Sequence, residues 1–102
     1  MKRVRAAALG EIAPGVPHLV VVDDVRLCMV RIGDQVHAIG DTCTHQRGSL
    51  SGGKLSGARV ACPSHGWMFD VRTGQCTFPP RGTAVPGYPV TIEGDAVWVE
   101  LA

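Results

Sequence analysis

Two short segments constrain this chain more than anything else in it: Cys43-Thr44-His45 and Cys62-Pro63-Ser64-His65. Each sets one thiol and one imidazole within a single turn, written C-x-H and C-x-x-H, with sixteen residues between them. Thiolates are soft ligands and imidazole suits iron, copper and zinc, so four such side chains in two tight clusters point to a metal. Any fold of the chain must then bring the two segments together.

The rest of the sequence reads as β-structure around them. His18–Val22 and Val25–Ile32 are apolar, β-branched runs joined by Asp23-Asp24, and Gly33-Asp34 leads into Gln35–Ile39. Two consecutive hairpins make a meander. Tyr88–Ile92 and Ala96–Glu100, around Glu93-Gly94-Asp95, predict a third hairpin. Val4–Leu9 suits a strand or a short helix, and no long helical period appears. Residues 40–87 hold nine glycines, four prolines and both Cys–His segments, a stretch too rich in turns to build a core of its own. The expected fold is all-β. An antiparallel base, sandwich- or barrel-like, is built from about 1–40 and 82–102, with a loop-rich metal-binding lobe at about 41–81. At 102 residues the chain is one domain.

Charge adds little on the whole chain and something on the lobe. A formal charge of +1 argues for neither nucleic acid nor a membrane surface. Residues 42–81, however, carry Arg47, Lys54, Arg59, Arg72 and Arg81 against Asp70 alone, a net +4. That is either an ordinary solvated face or a docking face for an acidic partner. Lys2, Arg3 and Arg5 precede an apolar run too short for a secretory signal, and the apolar run at Leu19–Val22 is far short of a membrane span. A soluble, cytoplasmic protein is expected. Four cysteines could make two disulfides, but in a reducing compartment the pair in the Cys–His segments reads better as metal ligands.

Two metal chemistries fit this donor set. A [2Fe–2S] centre of the Rieske kind replaces two of its four cysteines by histidines on one iron. Structural zinc could use the same residues, although its sites more often group cysteines and histidines separately.

Beyond the donor set, the segments with Gly66, Phe69-Asp70, Thr73-Gly74, Pro79-Pro80 and Tyr88-Pro89-Val90 resemble the Rieske ferredoxins of bacterial aromatic-ring dioxygenase systems. The resemblance runs along essentially the whole chain. It implies one [2Fe–2S] cluster, with Cys43 and Cys62 as thiolate ligands and His45 and His65 as imidazole ligands near the tip of the lobe. It implies a monomeric one-electron carrier between an NAD(P)H-dependent flavin reductase and a terminal oxygenase, both bound transiently. It also leaves an alternative open, the small Rieske-type subunit of an assimilatory nitrite reductase. A complete oxygenase is excluded, because the chain is too short for a second, mononuclear iron site.

Departures from the respiratory branch of the same family carry information as well. That branch has a disulfide between its two loops, where this chain has Gly48 and Ser64, and hydroxyl side chains where it has Trp67 and Phe69. Fewer hydrogen bonds to cluster sulfur imply a reduction potential near the low end of the Rieske range, about −150 mV rather than about +300 mV.

Other residues take supporting roles. Gly48 and Gly66 are expected to turn the backbone tightly and aim N–H groups at the cluster sulfurs, and Pro63 to stiffen its loop. Gln46, Pro63, Trp67, Pro79 and Pro80 are expected to form the rim, with Trp67 equally suited to the core. Cys28 reads as a buried small hydrophobe, Cys76 as a free core or loop thiol, and His18 and His37 as strand residues without a functional role. Asp41 is placed to orient the first loop.

Overall fold

The computed structural model describes residues 2–44, 48–63, 66–80 and 82–101. Among the described residues, eleven strands form three antiparallel sheets. In chain order they are β1 (Lys2–Ala8), β2 (His18–Val22), β3 (Val25–Ile32), β4 (Gln35–Gly40), β5 (Lys54–Ser56), β6 (Arg59–Ala61), β7 (Met68–Asp70), β8 (Cys76–Phe78), β9 (Gly87–Tyr88), β10 (Val90–Glu93) and β11 (Ala96–Leu101). The sheets run β1-β11-β10, β2-β3-β4-β9 and β5-β6-β7-β8. Among the described residues no helix is long and apolar enough to cross a membrane.

The all-β expectation holds, and the meander forms where its turn chemistry places it. Asp23 and Asp24 both adopt positive φ, 49° and 64°, and join β2 to β3 as a two-residue hairpin closed by the Val22–Val25 pair. Aspartate tolerates that region because its short side chain can satisfy nearby backbone. The opening segment is a strand to Ala8, followed by a 3-10 turn at Leu9–Glu11.

The run expected as one strand at Tyr88–Ile92 is instead two. Proline has no N–H for a ladder, and at Pro89 the chain changes sheets: β9 pairs with β4, while β10 pairs with β11.

Strand β3 explains where the cores lie. Its residues Leu27–Val30 are all fully buried, because the strand is covered on both faces. Leu27 and Met29 face a cluster with Ile12, Val20, Val36, Val97 and Val99, the core of the base. Cys28 and Val30 face the other way, into a cluster with Ile39, Cys43, Leu50, Val60, Cys62, Phe69, Val71, Cys76 and Val85. Cys28 is thus buried as expected. The turn-rich stretch does hold a sheet, four strands of three residues each, which was not expected. Its core is not its own: β3 and β4 supply part of it, so the Cys43 and Cys62 loops rest on the base strands.

Candidate metal centre

The first loop leaves β4 at Gly40 and its neck closes at once. Thr42 and Ser49 form an antiparallel bridge, and the Cys43 N–H donates to the Gly48 carbonyl at 2.9 Å. The second loop is the connection of a hairpin, between Ala61 on β6 and its partner Met68 on β7. Two bonds on Cys62 shape it. The Cys62 N–H donates to the Trp67 carbonyl at 2.7 Å, and the Cys62 carbonyl accepts from the Gly66 N–H at 3.0 Å. Gly66 adopts φ +75°, which glycine enters without steric cost. Its N–H is therefore spent on Cys62 oxygen, where a sulfur partner was expected.

Cys43 and Cys62 end up in one buried cluster, 3% and 2% exposed. A group that needs sulfur from two separate turns, shielded from water, fits this arrangement. His45 and His65, the other two expected ligands, lie outside the described residues, as do Gln46, Arg47, Ser64 and Arg81.

A third segment is tied to both loops. The Thr44 hydroxyl, beside Cys43, donates to the Thr83 carbonyl at 2.6 Å. The Cys76 thiol donates to the Phe78 and Pro79 carbonyls, 3.4 Å each, and the Gly82 N–H closes a turn onto Pro79 at 3.0 Å. A Cβ on Gly82 would lie 2.3 Å from Cys76 Sγ and 2.8 Å from the Trp67 ring, so the backbone at Gly82 seats flush against both. Cys76 is a buried core thiol, one of the two forms expected. Trp67 is partly buried and packs on the core, its ring tilted 39° to Phe69 at 6.5 Å. Pro63 and Pro80 are exposed, as a rim requires.

Two features escaped the sequence. Phe78, beside the expected rim prolines, is 58% exposed. A large aromatic next to Pro-Pro could have marked it, since the strand pattern gave it no core partner. Asp41 was suspected, but its partners Ser49 and Ser51 were not: they sit on the far limb of the same loop.

The Cys28 thiol, not placed as a ligand, is inert by environment. Burial, and then the charge of Asp41, push the Cys28 thiol up to about 12. His18 and His37 lie on β2 and β4, within strands of the base sheet.

A buried thiol pair on two loops, seated on an antiparallel β base and capped by a proline strap, describes a class of small iron–sulfur electron-transfer domains. A profile of the Rieske [2Fe-2S] domain matches residues 2–89, and the chain belongs to that family. It is 35% identical over 101 residues to the ferredoxin component of a naphthalene 1,2-dioxygenase system from Pseudomonas aeruginosa, covering 99% of this chain and 97% of that protein. Among solved structures it is similar to the ferredoxin of carbazole 1,9a-dioxygenase from Nocardioides aromaticivorans IC177, with TM-score 0.91, 37% identity and 97% of each chain covered. A chain from a complex of reduced oxygenase and oxidized ferredoxin in carbazole 1,9a-dioxygenase matches at TM-score 0.85 and 34% identity, over 95% of this chain and 91% of that one. A protein assigned as a nitrite reductase small subunit is 21% identical at TM-score 0.83, a likeness of fold alone. The cofactor is a Rieske-type [2Fe–2S] cluster.

Proposed function

We propose that this protein is a soluble one-electron carrier, a ferredoxin that passes electrons to a terminal aromatic-ring dioxygenase from an NAD(P)H-dependent flavin reductase. The observation that carries the reading is the end-to-end likeness to ferredoxin components of such systems, at 35% identity over 99% of the chain. The nitrite reductase reading has weaker support, resting on a fold likeness. Cys43, His45, Cys62 and His65 are the proposed ligands, with 41–81 as the cluster-binding lobe on a base of 1–40 and 82–102.

When bound, the cluster supplies a single electron carrier that cycles between two oxidation states. The chain's own residues hold and shield it. Cys43 and Cys62 offer sulfur from two loops whose necks are fixed by backbone bonds, so little rearrangement accompanies a change of charge. Phe69, fully buried, and Trp67, packed beside it, exclude water below the site and carry no hydroxyl to donate to sulfur. Fewer donors disfavour the more negative state, which supports a low potential. Exposed Phe78, Pro63 and Pro80 give the lobe an apolar rim, suited to a transient interface under about 1,200 Å². We take the protein as a cytoplasmic monomer that meets each partner in turn.

Reconstitution tests the function. The purified ferredoxin, added to a flavoprotein reductase, NAD(P)H and a ring-hydroxylating oxygenase, supports turnover; absence of turnover with every such oxygenase, together with co-purification on a sirohaem subunit, contradicts it. Protein-film voltammetry tests the low potential, and a midpoint clearly above zero contradicts it.

A further inference from the structure

Asp41 is the only charged side chain that is buried among the described residues, at 1% exposure. Its bonds all serve the neck of the first loop. One carboxylate oxygen accepts from the Ser51 N–H at 2.7 Å, and the other accepts from the Ser49 hydroxyl. Its backbone N–H donates to the Arg26 carbonyl at 3.1 Å, and its carbonyl accepts from Leu50 N–H at 2.7 Å. One residue thus joins β3 to both limbs of the loop that carries Cys43.

Such a staple needs hydrogen bonds and does not need a charge. An asparagine oxygen could accept from Ser49 or Ser51 as well, without the desolvation that a buried carboxylate suffers. Among the described residues Asp41 pairs with one cation, Arg26, whose guanidinium stands 3.7 Å away with its side chain 52% exposed, so that compensation is partial and faces solvent. The charge sits close to the proposed site: Asp41 stands two residues before Cys43, and its backbone is bonded to β3, whose Cys28 shares a buried cluster with Cys43 and Cys62.

We propose that Asp41 is a positioning residue for electron transfer whose fixed negative charge, stapled at the neck of the Cys43 loop, lowers the reduction potential of the cluster. The inference rests on the ligand set proposed above. Reduction adds one electron and one negative charge to the site; the electron comes from the reductase and leaves to the oxygenase, and Asp41 exchanges nothing. A nearby fixed anion opposes that added charge whatever else it does.

The test is Asp41→Asn in the cluster-loaded protein, read by protein-film voltammetry. The midpoint shifts upward, with a tenfold change in the electron-sharing equilibrium, about 59 mV for one electron, as the scale expected. A staple without an electrostatic role speeds cluster loss to a chelator and leaves the midpoint in place, and that result overturns the proposal. Should the variant fail to take up cluster, Arg26→Gln serves instead. Removing the partial compensation lowers the midpoint, and an unchanged or raised midpoint overturns the proposal. Iron and sulfide analysis of the unsubstituted protein separates the two readings. No cluster there defeats the ligand assignment, whereas a normal cluster with an unmoved Asp41→Asn midpoint defeats only this inference.

Discussion

At the residue scale, the same side-chain type takes opposite roles according to where the fold sets it. Four cysteines lie in one buried cluster, yet only Cys43 and Cys62 stand on loops that also carry a histidine. Cys28 lies inside β3 and Cys76 on β8. Replacing His65 by alanine is expected to abolish the visible Rieske spectrum, while Cys28→Ala keeps it; a retained spectrum in the first variant contradicts the ligand assignment. Phe69 packs among the same cysteines without any exposure. Phe69→Ala is therefore expected to cost about 3–5 kcal/mol in denaturant unfolding. The Cys–His pattern was legible because chemistry is written in residue type and spacing. The Asp41 staple was only half legible, since aspartate before a loop is common and its value depends on Ser49 and Ser51 meeting it in space.

At the scale of elements, local rules succeeded for hairpins and failed for contacts across the chain. The β2-β3-β4 meander followed from alternating apolar runs and two-residue turns. The β5–β8 sheet did not, because strands of three residues carry too little period to see. The tie between Thr44 and Thr83 spans 39 residues and leaves no local signature. The strap predicts an epistatic pair. Gly82→Ala forces its Cβ onto Cys76 sulfur and is expected to hasten cluster loss to a chelator, and adding Cys76→Ala recovers part of that loss; no recovery contradicts the packing account. A pH effect belongs to the base–lobe contact. Burial first, and then the charge of Arg72, hold His37 below its ordinary value of 6.5, with Asp70 partly opposing. A histidine depressed on folding keeps its full contribution above pH 6.5 and loses it as pH falls through the folded value. The melting temperature of the loaded protein should therefore fall on acidification below 6.5, and His37→Gln should flatten that fall. Asp70, held low by its hydrogen bond to Arg72, adds a loss only at more acidic pH, below the ordinary 3.8.

For the whole molecule, a β base shares the interior of the segment that carries Cys43 and Cys62. The lobe's formal +4 already nets out Asp70, whose carboxylate is bound to the Arg72 guanidinium at 2.9 Å. Lys54 and Arg59 remain exposed. Electron-transfer rates to an acid-faced oxygenase should fall as ionic strength rises from roughly 0.01 to 0.15 M, where screening shortens from about 30 to 8 Å. A rate indifferent to salt contradicts a basic docking face. The all-β class and the family were both readable from the sequence, since motif and strand runs cover the chain end to end. The shared core was not, because it depends on β3 being covered on both faces.

The most direct test is a count of iron and acid-labile sulfide in the protein as isolated. Two irons and two sulfides per chain are predicted; one metal atom without sulfide contradicts a bridged cluster held by the two Cys–His loops.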